Sequence, residues 1–186
     1  MHTRFAPTRI LGICGSLRRA SFSRATLRGI RNDLPATTTL EIVDPELPLY
    51  NQDQDGTNAP DTVRQLRTAI AESDGAVIVT PEYNHGIPGV LKNALDWASR
   101  PYGKSVLAKK PVLVISVSPA FTGGVRAHAQ VNETLLSIPA CVLGGPQVVL
   151  SGIAEKIRDD ALVDRASLDF AQAALGRLVE LSRHVA

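Results

Sequence analysis

A chain of 186 residues that is 44% hydrophobic can bury one substantial core and is short for two. Its 20 basic and 18 acidic residues are scattered and leave a net charge of +2, which points to neither nucleic acid nor a membrane surface. Residues 1–8 are too short and polar for a secretory signal and no apolar stretch approaches membrane-spanning length, so a soluble, cytoplasmic protein is expected.

Cys14 and Cys141 lie far apart in apolar stretches, as buried thiols do in a reducing compartment. With four separated histidines, they offer no pattern for a metal site, and none is expected.

In chain order, residues 10–14 (ILGIC), 75–80 (GAVIVT), 111–118 (PVLVISVS) and 147–150 (QVVL) are short Val/Ile-rich runs with little alternation, the pattern of strands covered on both faces. Residues 39–44 (TLEIVD) alternate as an edge strand does. A helix is expected after residues 15–23, and further helical patterns cover 60–72, 88–99, 124–136 and 159–183. The helices at 60–72 and 88–99 open on Pro60 and Pro88, suited to a first helical turn. Strand and helix alternate about five times, which predicts a doubly wound α/β domain over residues 9–186 behind a tail of residues 1–8. The one long connection, residues 45–59, reads equally as a functional loop or as plain surface chain.

Ligands of such sheets bind beyond the carboxyl ends of the strands, where neighbouring connections leave toward opposite faces. The loops after the first and third strands should therefore face each other. The first, GSLRRASFSR, places Ser16, Ser21 and Ser23 hydroxyls, the Arg18 guanidinium and the free amides of a helix start together, a set that can cradle a phosphate. The spacings G-x-x-x-x-G-K-[ST] and G-x-G-x-x-G are both absent, so the guest is a terminal phosphate monoester held without metal. The same serines also satisfy an ordinary helix cap. In the second loop, TPEYNHGIPG, two prolines fix the backbone, two glycines allow close approach, and Tyr83 and Asn84 offer a flat face and paired polar groups. That suits a planar heteroaromatic ring; a plain turn with a surface tyrosine is the alternative.

Together GSLRRASFSR, PEYNHGIPGVLKNALDW and SVSPAFTGGVRA, in this order and over nearly the whole chain, resemble the NADPH-dependent FMN reductase family, which includes chromate, quinone and azo-dye reductases. The resemblance implies a flavodoxin-like fold, a five-stranded parallel sheet of order 2-1-3-4-5 with helices on both faces and FMN at the switch point. It implies that Ser16, Leu17, Arg18, Ser21 and Ser23 hold the FMN phosphate. Pro81, Glu82, Tyr83 and Asn84 would line the isoalloxazine largely through backbone atoms, and Ser118 with Gly123 and Gly124 would close the site. Many relatives carry Asn where Ser23 stands. NADPH or NADH would be the donor and a flavin, quinone, azo compound or metal oxyanion the acceptor. The flavin carries the chemistry, so no catalytic protein residue is assigned. A homodimer or homotetramer is implied, because in relatives the helix after the second loop packs across a subunit interface.

Outside these loops, Lys92 and Asp96 are four apart in the less favourable order for a helical pair. Trp97 reads as core or interface, His85 as exposed or near substrate, and Arg126 as facing solvent or an interface, with the NADPH phosphate as the alternative. His128 has no partner visible in the sequence. The alternative to an enzyme is a flavodoxin-type FMN electron carrier, but a small carrier docking on basic redox partners is expected to be acidic, and this chain is slightly basic.

Overall fold

The unalternating Val/Ile runs form the inner strands β1 (Thr8–Cys14), β3 (Gly75–Thr80) and β4 (Pro111–Val117) of a computed structural model that describes residues 6–185. Strands β3 and β4 are buried along their whole length, as strands covered on both faces must be. β2 (Thr38–Val43) pairs with β1 at the edge, and every pairing in this sheet is parallel. The order β2-β1-β3-β4-β5, with β5 at Cys141–Val142, is that of a flavodoxin-like doubly wound sheet. β1 takes in Thr8, which the sequence reading gave to the tail; residues 1–5 of that tail lie outside the described residues.

Side chains alternate between two cores. Ile10 and Cys14 of β1 and Leu113, Ile115 and Val117 of β4 pack with Leu27 and Ile30 of α1 (Phe22–Asn32) and with Leu175 and Leu178 of α5 (Arg165–Val185). Leu11, Ile13, Val112 and Val114 instead meet α2 (Asp61–Glu72), α3 (Gly89–Ala98) and α4 (Val125–Ser137) through Leu66, Leu91 and Val131. Pro60 and Pro88 stand just before their helices, at the cap rather than inside the first turn.

Two expectations are corrected. The fifth position of the sheet holds two short strands: β5 pairs with the start of β4, and β6 (Val148–Leu150) with its end. Gly144-Gly145-Pro146 lies between them; Gly145 has a φ of +108°, and a proline has no amide to give a ladder, so one continuous strand cannot form. The last helix starts at Arg165 rather than 159. Residues 157–162 are instead a small antiparallel hairpin of β7 (Ile157–Arg158) and β8 (Ala161–Leu162), turned by Asp159 and Asp160 at φ 48° and 57°. Asp164 then caps α5 by accepting the Ser167 amide at 2.9 Å.

The long connection is tightly tied down. Trp97 of α3 is fully buried and its indole donates to the Pro48 carbonyl at 2.8 Å, while Tyr50 meets its ring edge-on at 4.9 Å. Asn93, one turn earlier, donates to the same carbonyl at 2.9 Å and accepts the Tyr50 amide at 2.8 Å. Arg67 of α2 joins Asp55 at 2.8 Å. The Lys92–Asp96 pair forms at 2.7 Å on the exposed face of α3, where its contribution is small.

Candidate functional site

The loops leaving β1 and β3 begin side by side because Cys14 is in register with Val79 and the Gly15 amide donates to the Val79 carbonyl at 2.8 Å. A side chain at Gly15 would stand 2.9 Å from that carbonyl oxygen, so only glycine allows the approach. In the first loop Ser21 caps α1, its hydroxyl accepting the Arg24 amide at 3.2 Å. Ser16 is buried and its hydroxyl accepts the Arg18 amide at 3.3 Å. Ser23 is 1% exposed, and its hydroxyl has no partner among the described residues. Arg18 lies over the Phe22 ring at 4.8 Å, whereas Arg24 turns away to Asp44 at the end of β2, 2.8 Å distant. Cys14 lies beneath this loop with its thiol toward the Ser16 carbonyl at 3.1 Å, and burial pushes its pKa up, so it stays a neutral thiol.

The second loop is a tight hairpin. Tyr83 and Gly86 exchange backbone hydrogen bonds of 3.1 and 2.9 Å, and the two residues between them, Asn84 and His85, adopt φ of 49° and 64°. These left-handed positions are filled by Asn and His, residue types that tolerate them best among side-chain-bearing residues. Gly86 is approached from within the protein, by Gln130, whose side chain also accepts the Ile87 amide at 2.9 Å. Tyr83 is half exposed and its hydroxyl reaches 3.4 Å from the Ser16 hydroxyl, bridging the two loops.

The third loop follows β4. Ser118 accepts the Ala120 amide at 3.1 Å, and the chain enters α4 through Gly123 and Gly124 at φ 62° and 82°. The Glu82 carboxylate crosses from the second loop to accept the Arg126 and Ala127 amides at 2.9 and 3.2 Å, with the Arg126 guanidinium 3.7 Å away. Arg126 thus faces Glu82 as well as solvent. His128 is buried one turn on, between the Val114 carbonyl and Asn132 at 3.2 Å each, and burial lowers its pKa, so it is a neutral packing residue.

The three loops enclose a cavity of about 350 Å³. Of the residues expected to act together, Ser16, Arg18, Ser21 and Ser23 line it from the first loop, Pro81, Glu82 and Tyr83 from the second, and Ser118 from the third. Leu17, Asn84, Gly123 and Gly124 do not line it; the two glycines shape the entry to α4 instead. Phe22, Val117 and Pro119 line it unforeseen, although each adjoins a predicted loop residue in the sequence and Phe22 opens α1. Around the α1 N-terminus the groups on offer are donors, and the one lining carboxylate is spent on α4. Such a set favours an anion such as a phosphate monoester.

Among the described residues no helix is long and apolar enough to cross a membrane. The profile of the NADPH-dependent FMN reductase family matches residues 8–155. A quinone reductase of Pseudomonas putida is 38% identical over 177 residues, 93% of this chain and 95% of its own. An NAD(P)H-dependent FMN reductase of Pseudomonas aeruginosa is 36% identical over 144 residues, 77% of either chain. Among solved structures, FerB, a flavoenzyme NAD(P)H:(acceptor) oxidoreductase from Paracoccus denitrificans, superposes with a TM-score of 0.80 at 30% identity, over 95% of this chain and 98% of its own. The matched stretch contains all three loops that build the cavity, and the chain belongs to the NADPH-dependent FMN reductase family.

Proposed function

We propose that the cavity at the carboxyl ends of β1, β3 and β4 is the FMN site of an NAD(P)H-dependent reductase, with the FMN phosphate at the N-terminus of α1. The observation that carries this is the Ser23 hydroxyl: a buried polar group without a partner costs about 1–3 kcal/mol, and a ligand oxygen here recovers it. The Ser16 and Ser21 hydroxyls, the Arg18 fork and the first amides of α1 complete a donor set for a dianion. In the second loop the Tyr83 amide is taken by Gly86, which leaves the amide of the lining residue Glu82 as a donor to the ring system, with Asn84 shaping the turn beside it. Leu17, Gly123 and Gly124 belong to this site as backbone shape rather than as lining side chains.

Bound FMN supplies hydride acceptance from the nicotinamide and electron delivery to an acceptor. The chain's part is to hold, orient and shield it, and no side chain is assigned proton transfer. The relatives named quinone reductase support a quinone as the acceptor class, with flavins, azo compounds and metal oxyanions as further acceptors. A groove of about 940 Å³ between α3 and α4, bordered by Ile87, Tyr102 and Ile138, supports a homodimer or homotetramer formed through that face. We read residues 9–186 as one FMN-binding domain acting in the cytoplasm.

The test is the visible spectrum of protein desalted after incubation with FMN, then with NADPH under anaerobic conditions. Retained yellow colour that bleaches and returns on adding a quinone is the expected result. Colour that NADPH leaves untouched makes the protein an electron carrier, and colourless protein removes FMN from the cavity. Ser23→Ala is expected to weaken FMN binding by about 1 kcal/mol, roughly fivefold. The same change should leave the FMN-free protein as stable as the parent or more so, since an unpaired buried hydroxyl is gone. Fluorescence titration and urea unfolding check the two signs; an unchanged dissociation constant would move Ser23 out of the site.

A further inference from the structure

Helix α4 has no cap of its own. Its N-cap position is Gly124, which has no side chain to offer, and its first turn contains no acidic residue. The amides that an N-cap side chain ordinarily accepts are those of the second and third helical residues, here Arg126 and Ala127. Both are accepted by Glu82, 44 and 45 residues earlier in the chain and on a different loop. The exchange is shaped on both sides. Gly124 sits at φ 82°, a conformation that favours glycine, and a side-chain carbon there would lie 3.5 Å from the Glu82 Cβ. The Glu82 side chain is only 9% exposed, its charge faces the positive end of the helix, and Arg126 adds a cation at 3.7 Å.

Glu82 lines the cavity, and its own amide is one of the donors left to the second loop. The carboxylate therefore fastens that loop to the third one, whose Ser118 and Pro119 form the facing part of the wall. We propose that Glu82 is a positioning residue: it caps α4 from outside the helix and thereby sets the spacing between the two loops and the orientation of the Glu82 amide in the site. This inference rests on the FMN reading above. It assigns the side chain to the protein's own helix and leaves only the backbone of Glu82 to the ligand.

Glu82→Gln and Glu82→Met test it. Glutamine keeps an acceptor oxygen for the α4 amides, and methionine keeps the length and packing of the side chain with no acceptor. FMN dissociation constants, the KM and kcat for a quinone, the absorption spectrum of bound FMN and amide exchange at Arg126 and Ala127 are measured in both variants and the parent. Met is expected to speed exchange at those two amides, raise the FMN dissociation constant by about tenfold or more and shift the bound-flavin spectrum. Gln should stay within about threefold of the parent, because a neutral acceptor still satisfies a helix-end amide. Equal FMN binding and unchanged spectrum in the Met variant, even with a lowered Tm, would overturn the positioning role and leave a purely structural cap. Equal losses in both variants would overturn it in the other direction, making the charge itself a ligand contact. Unchanged exchange in the Met variant would overturn the cap. Failure of the parent to bind FMN would instead overturn the FMN reading, a result the exchange measurement does not depend on.

Discussion

Trp97→Ala is expected to lower the stability of the folded protein by about 3–5 kcal/mol, the range for emptying a fully buried tryptophan site. The cavity is slow to collapse because its walls come from three places: Val63 of α2, Ala59 and Tyr50 of the long connection, and α3 itself. The indole N–H contact with Pro48 is lost as well, though that carbonyl keeps the Asn93 amide group. Trp97→Phe retains most of the ring volume and loses the hydrogen bond, so about 1–2 kcal/mol is expected. Urea unfolding midpoints measure both. The Ala variant should also become open to proteolysis within residues 45–59, because Trp97 and Asn93 hold Pro48 and Tyr50 down. A Trp97→Ala protein within 1 kcal/mol of the parent, about a fivefold change in the folding constant, would show that the connection holds itself together without α3.

Gly29→Ala should also destabilise, by about 3 kcal/mol, against the ordinary expectation that alanine improves an interior helix position by about 1 kcal/mol over glycine. A side-chain carbon at residue 29 would collide with the Leu162 carbonyl oxygen and stand 2.9 Å from its amide nitrogen. Those are backbone atoms of the β7–β8 hairpin, and Leu162 is itself buried, so nothing there can rotate aside. Relief requires moving the hairpin or tilting α1, the helix whose first turn borders the cavity proposed to hold the FMN phosphate. The expected signature is therefore a lowered urea midpoint together with weakened FMN binding, whereas a stabilised variant would mean that the hairpin yields easily.

Contacts such as Gly29 against Leu162 join segments far apart in the chain, and no local pattern shows them. The runs ILGIC, GAVIVT and PVLVISVS lack alternation, so they had to be strands covered on both faces, and the helical spacing between them required a doubly wound sheet. Three serines and an arginine at a strand-to-helix corner carry their chemistry wherever that corner ends up, because an N-terminus and its donors are local properties. Period and local propensity act within a few residues, which is why the helix starts at Pro60 and Pro88 and the end of the second of these helices near residue 99 were legible to within a residue or two.

Other features depend on partners that only folding brings together. Residues 157–162 carry the same apolar spacing as the helix beyond them, and they form a hairpin because Leu162 is needed against Gly29 of α1. The final sheet position is split because β4 offers two separate lengths of edge on either side of Gly144-Gly145-Pro146. Gly86, expected to let a ligand approach, is approached instead by Gln130 of α4, and Asn84 and His85 take the left-handed turn before it. Glu82 reads locally as one more polar loop residue, and its carboxylate finds its partners 44 and 45 residues away. Composition and spacing by themselves determined the class of fold and two facing loops with the chemistry for a phosphate and a planar ring, while the third loop entered through the family resemblance. The tertiary structure decided which side chains face the cavity and which brace it, because that choice depends on distances between residues that no local pattern relates.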